Sequence, residues 1–211
     1  MKKLIVGLVM LAGVTGLASA EEGDAARGET LVQQCTACHG AAGASTISSN
    51  PKLAGQGEAY LLKQLQDIQS GARVVTLMAG QLDNLEEQDL ADIAAYYSEQ
   101  DKTVGTADPD LVELGEQLYR GGNPETGVPA CAGCHSPTGS GNAPAAFPML
   151  SGQHADYIAS QLHKFQAGYR ADEPTNDART NDGESMMMRA TAFRLKDFEI
   201  EALASYINGL H

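Results

Sequence analysis

The sequence predicts an all-α protein built from two tandem copies of one helical unit, and three observations predict it. No stretch alternates β-branched with polar residues as a half-buried strand would, whereas apolar residues recur at helical spacing, as at Tyr60, Leu61, Leu65 and Ile68. The chain also matches itself. PKLAGQGEAYLLKQLQDIQSGAR (51–73) aligns without a gap with PMLSGQHADYIASQLHKFQAGYR (148–170) at an offset of 97, and LEEQDLADIAAYY (85–97) aligns with LKDFEIEALASYI (195–207) at an offset of 110. Finally, all four cysteines fall in two copies of one pattern, CTACHG at 35–40 and CAGCHS at 131–136. Such a duplication predicts two halves related by an approximate twofold axis.

The elements follow in chain order. Residues 1–20 read as a secretory signal peptide: Lys2 and Lys3, an uncharged apolar run from Leu4 to about Leu17, and Ala18-Ser19-Ala20 as the cleavage site. The run is short for a membrane anchor. A first domain is expected over 21–100, a linker at 101–110 within the polar stretch SEQDKTVGTADPD (98–110), and a second domain over 111–211. Each half is expected to hold a first helix (about 24–38 and 108–120), a middle helix (about 57–70 and 154–167) and a closing helix (about 86–99 and 197–209). Gly28 and Gly115 are costly choices inside the first helices, about 1 kcal/mol against Ala. They predict a close crossing with the closing helix near Tyr96 and Tyr206. Two polar inserts, RGGNPETGVPA (120–130) and ADEPTNDARTNDGES (171–185), distinguish the second half.

The formal net charge is −13 and becomes −15 once Lys2 and Lys3 are removed with the leader. Nucleic acid is excluded as a partner, because binding it needs a basic footprint.

An exported chain with four cysteines could carry disulfides, but each Cys pair here is followed at once by a His. A Cys-x-x-Cys-His pattern arises by chance about once in several hundred shuffled chains of this composition, and twice far more rarely. A zinc ribbon would bring its pairs closer than the 92 residues between Cys38 and Cys131. Covalent attachment of c-type haem remains. Two thiols one helical turn apart can each bond one vinyl group of the same porphyrin, and the adjacent His then becomes an axial iron ligand. Cys35 and Cys38 would hold one haem with His39, and Cys131 and Cys134 a second with His135.

The sixth ligand decides between catalysis and electron transfer. Met78 stands seven residues before Leu85, and Met188 seven before Leu195, so each half has one methionine in register. A thioether is the usual partner of His in an electron-transfer haem. Met186, Met187 and Met188 are consecutive, and only the register with Leu195 selects Met188.

CTACHG, PKLAGQ, QSGAR and MAGQLDN with LADIAAYY, then CAGCHS, LSGQ, QAGYR and MMRATAFRL, together resemble the cytochrome c4 family across the whole mature chain. The resemblance implies two class I cytochrome c domains facing each other, with two covalent haem c groups and axial pairs His39 with Met78 and His135 with Met188. It implies a periplasmic, monomeric carrier between a respiratory reductase and a terminal oxidase, not an enzyme, with peripheral membrane association left open. The haem subunit of a flavin-linked sulfide dehydrogenase is the alternative. The family further suggests haem propionates near Arg73 and Arg170, and carbonyls of or before Pro51 and Pro148 for the axial histidines. The family's closing helix often starts with a Ser N-cap, where this chain has Glu86 and Lys196.

Overall fold

The computed structural model of the chain describes residues 22–170 and 178–211. The signal peptide expected at 1–20 and residues 171–177 of the second insert lie outside it. Helix α1 (Ala25–Leu31) begins on Asp24, whose carboxylate accepts from the amides of Ala26 at 2.9 Å and Arg27 at 3.1 Å. It does not run to 38 as expected. A 3-10 turn at Val32–Gln34 intervenes before α2 (Thr36–His39), and this tightening leaves Val32 in the core. Next come α3 (Glu58–Gln69) and α4 (Glu87–Ser98), which complete the first half. In the second half, α5 (Pro109–Gly121) opens on Asp108, which accepts from the Asp110 amide at 3.0 Å, with Pro109 at the first helical position. Helices α6 (Ala132–His135), α7 (Ala155–Arg170), α8 (Met187–Ala192) and α9 (Asp197–Gly209) follow.

Among the described residues no strand forms beyond two isolated antiparallel bridges, Asn123 with Val128 and Asn142 with Phe147. No described helix is long and apolar enough to cross a membrane. The closing helices α4 and α9 start firmly without a Ser cap. The Glu86 amide donates to Asp89 Oδ2 and the Lys196 amide to Glu199 Oε2, each at 2.8 Å. In each case a carboxylate three residues into the helix reaches back to an otherwise unpaired amide.

Each half is built on a crossing of its first and last helices, and the two glycines sit where sequence places them. A Cβ on Gly28 would run into the Asp92 carbonyl and come within 2.8 Å of Tyr96 Cβ. One on Gly115 would run into the Ala202 carbonyl and within 2.5 Å of Tyr206 Cβ. Beside the crossing the halves solve one packing problem in opposite ways. Val32 from the first helical segment packs with Tyr97 of α4 in one half, while Tyr119 of α5 packs with Ile207 of α9 in the other. A large and a small residue have changed sides, which conserves volume in a close-packed core.

The approximate twofold relation is written in the hydrogen bonds between the halves. The Gln153 side chain accepts from the Lys52 amide and donates to the Lys52 carbonyl, both at 2.9 Å. The Gln56 side chain does the same to Met149, at 2.7 and 3.0 Å. Gln56 pairs with Gln153, and Lys52 with Met149, at the repeat offset of 97. Gly28→Ala and Gly115→Ala should each destabilise the protein by about 1–3 kcal/mol, because a backbone carbonyl has nowhere to retreat. Gly121→Ala, where a new Cβ meets nothing within 4 Å, should leave the chemical-denaturation midpoint unchanged or slightly raised.

Candidate haem sites

The two cysteine motifs form equivalent short turns. The Cys38 and His39 amides donate to the Cys35 carbonyl at 3.2 and 2.9 Å, and those of Cys134 and His135 donate to the Cys131 carbonyl at the same two distances. All four cysteines are free thiols, so neither pair forms a disulfide. Burial pushes the Cys35 thiol up from its ordinary value and the Cys131 thiol up to about 11. The turns end on Gly40 at φ 75° and Ser136 at φ 68°, and Tyr119 Oη donates to the Ser136 carbonyl at 2.7 Å. In the first half the buried Tyr97 hydroxyl lies against the Cys35 thiol and has no other polar partner among the described residues.

His39 and His135 are both buried, and each is held by one nitrogen. His39 Nδ1 lies 3.0 Å from the Pro51 carbonyl oxygen, and His135 Nδ1 lies 2.9 Å from that of Pro148. These are the prolines' own carbonyls, one of the two options the family resemblance left open. A carbonyl only accepts, so Nδ1 must carry the proton and the lone pair sits on Nε2. Burial holds both imidazoles below their ordinary range, with the proline carbonyls opposing it in part. A neutral imidazole, oriented through Nδ1 with Nε2 free, is the form that ligates a metal. Two free thiols and such an imidazole on one turn fit covalent haem in each half.

Met78 is half-buried at the end of a 3-10 turn (Thr76–Met78). A cavity of about 150 Å³ opens beside it, bordered also by Arg73, Ile68 and Leu82; it reaches neither His39 nor the cysteines. Met188 is in the first turn of α8 and is half-buried, whereas Met186 and Met187 are 39% and 42% exposed. No hydrogen bond links either imidazole to its methionine among the described residues.

A cationic cluster lies where the halves meet. Arg73 donates to Gln64 Oε1 at 2.8 Å, Tyr157 Oη at 2.9 Å and Gln161 Oε1 at 3.0 Å. Arg179 donates to Gln161 Oε1 and Gln64 Oε1, both at 3.0 Å, and to Tyr60 Oη at 3.1 Å. Tyr60 and Tyr157, and Gln64 and Gln161, are repeat pairs, so Arg179 is the twofold counterpart of Arg73. Here the ungapped register misleads: it pairs Arg73 with Arg170, but the chain lengthens immediately afterwards and Arg179 fills the equivalent place. Burial pushes the Tyr60 phenol up, yet Arg179 and Arg73 outweigh it and leave the phenol below its ordinary value. Among the described residues, neither guanidinium forms an ion pair with a carboxylate.

A family model for cytochrome c matches residues 25–100 and 112–211. Over the full length of both chains, this protein is 54% identical to cytochrome c4 of Azotobacter vinelandii. The chain belongs to the cytochrome c4 family. It is also 53% identical to cytochrome c4 of Pseudomonas aeruginosa, again over both full lengths. The crystal structure of reduced recombinant cytochrome c4 from Pseudomonas stutzeri superposes with a TM-score of 0.84 at 52% identity, covering 90% of this chain and all of that one. As a cytochrome c4, the chain is a dihaem electron-transfer protein with two tandem cytochrome c domains. It carries two covalently attached haem c groups, one at Cys35 and Cys38 and one at Cys131 and Cys134.

Replacing Cys131 and Cys134 together by Ala should halve the haem content per chain, measured as haemochromogen absorbance against protein. The first motif should remain loaded, because its turn, its proline contact and its core are its own.

Proposed function

We propose that this cytochrome c4 is a periplasmic carrier that takes electrons from a respiratory reductase and passes them towards a terminal oxidase, with His39 and Met78 as axial ligands in the first half and His135 and Met188 in the second. Haem c supplies a reversible one-electron iron couple when bound. The chain's part is to fix the ligands and the surrounding charge. The observation that carries this reading is the pair of buried imidazoles, each pinned through Nδ1 to a proline carbonyl with Nε2 left for the metal. In both halves a thioether then stands in register as the second axial donor. Two irons with both axial positions filled leave no place for substrate, which favours transfer over catalysis. A soft thioether also favours the reduced metal and so raises the potential.

Arg73 and Arg179 are suited to take the haem propionates. A planar guanidinium pairs with carboxylates through two parallel bonds, and a buried cation without a carboxylate partner is costly. The relatives carry the name of an electron-transfer protein, and the reading as haem subunit of a flavin-linked sulfide dehydrogenase is not favoured. Export by a cleaved leader, and any peripheral contact with a membrane, belong to the same proposal.

The test is a spectroscopic and redox titration of oxidised holoprotein, followed by turnover with candidate oxidases. Two low-spin haems that refuse cyanide and are reoxidised by an oxidase are expected; a high-spin or cyanide-binding resting haem would overturn the carrier reading. Met78→Ala and Met188→Ala should each abolish the Met–Fe(III) charge-transfer band of one haem and lower its potential. Met187→Ala should leave both bands intact. The reverse result at 187 and 188 would shift the second-half register by one residue.

A further inference from the structure

The segment that carries Met188 is held by a device with no equivalent around Met78. Asp182 stands six residues before Met188, and Arg189 follows it directly. Their side chains form an ion pair, 7% and 14% exposed respectively. Arg189 Nε donates to Asp182 Oδ1 at 2.6 Å, the Arg189 amide donates to Asp182 Oδ2 at 2.9 Å, and Arg189 Nη2 donates to the Gly183 carbonyl at 2.8 Å. A single carboxylate thus grips the residue next to Met188 by both backbone and side chain. In the first half Ala79 follows Met78, and no carboxylate lies between Arg73 and Met78.

The grip matters because this part of the chain is otherwise poorly specified. Between Arg179 and Met188 the second half is four residues longer than between Arg73 and Met78, and more chain means more conformations to exclude. The segment also offers three thioethers in a row. Helix α8 has no side-chain cap at Met186, which sits in the left-handed region at φ 47°. Methionine has neither the missing Cβ of glycine nor the short polar side chain of asparagine that favours that conformation, so something outside Met186 must impose it. The backbone closes the loop on the other side: the Met186 amide donates to the Gly183 carbonyl at 3.2 Å, and the Ala190 amide donates to the Met186 carbonyl at 2.7 Å. With Arg189 fixed, the residue just before it keeps one direction, while Met187 and Met186 are turned outward.

We propose that the Asp182–Arg189 pair is a positioning device that selects Met188 from the three consecutive methionines and holds its sulfur for the second iron. This rests on the reading of Met188 as an axial ligand. Loss of the pair should weaken thioether binding in the second half by on the order of 10- to 100-fold, the usual effect of removing a group that orients a ligand.

The test uses holoprotein in a Met78→Ala background, so that only the second charge-transfer band remains. Asp182→Ala and Arg189→Ala should lower the temperature at which that band disappears, well below the temperature of global unfolding. In the reduced protein with Met78 intact, they should let carbon monoxide bind to one haem and leave the other closed. Arg189→Lys, which keeps the charge and the backbone bond, should restore part of the loss. Arg27→Ala breaks the ion pairs of the first half with Asp89 and Asp92, and should lower unfolding stability without opening the second haem. If Met188→Ala opens the second haem while Asp182→Ala leaves band and carbon monoxide binding unchanged, the clamp is refuted and the ligand reading stands. If Asp182→Ala loses the band only in step with unfolding, the pair is structural and the proposal also fails. If Met188→Ala leaves the band intact, the ligand reading fails first.

Discussion

The contact on which the rest depends is made twice: a buried imidazole held through Nδ1 by the carbonyl of a proline twelve or thirteen residues further on. The His follows a cysteine pair on a tight turn, so its backbone is placed by α2 or α6. The proline carbonyl then fixes the ring's rotation and tautomer together. A proline suits this role because its own φ is locked, which leaves its carbonyl less free to wander than that of another loop residue. Everything else in each half can be read as support for that geometry. The first and last helices cross closely at a glycine, and the core beside the crossing presses against the first cysteine of the motif.

Joining two such units creates the second constraint. Among the described residues, the two halves are joined by a set of exchanged polar contacts. Each glutamine after a repeat glycine completes both backbone hydrogen bonds of a residue in the other half, as a neighbouring strand would. Two such side chains are buried and fully paired, and hydrogen bonds of this kind contribute about 0.5–1.5 kcal/mol each while costing more if half of a pair is removed. Their main effect is therefore on register. Neither half can slide or rotate without orphaning buried donors and acceptors on both sides of the axis.

Much of this was legible in the sequence, and the parts that were not share a cause. The cysteine motifs and the glycine crossings are legible because each has a counterpart in the other half, at offsets of 96 and 87, and the prolines lie in the block that aligns without a gap; their carbonyls as partners of the histidines came with the family resemblance. Arg179 was hidden because it follows an insertion: the match ends on Arg170, and the geometry is satisfied nine residues later. The helix expected to run unbroken to 38 contains a tightened turn with no Gly or Pro to announce it. The start of the closing helices seemed insecure because Glu86 and Lys196 replace a Ser cap. Asp89 and Glu199 satisfy the exposed amides from inside the helix instead, an option visible only when position N3 is read with position N-cap. The exchange of Val32 and Tyr97 for Tyr119 and Ile207 is a pair property, and aligning either helix alone conceals it.

The distribution of charge is the last consequence of the duplication. The chain as a whole is strongly acidic, yet the seam between its halves gathers Arg73 and Arg179 on a shared pair of amide oxygens. Two guanidiniums that share acceptors repel each other, and in a poorly screened interface that repulsion is not dissipated as it would be on the surface. An acidic exterior lowers the cost only weakly, since its charges are distant and exposed. The low-lying phenol of Tyr60 follows from the field of the two guanidiniums beside it, a field that Asp67 offsets in part at Arg73. A carboxylate from each half would neutralise that field. It would also add an attraction across the seam to the paired glutamine hydrogen bonds already there.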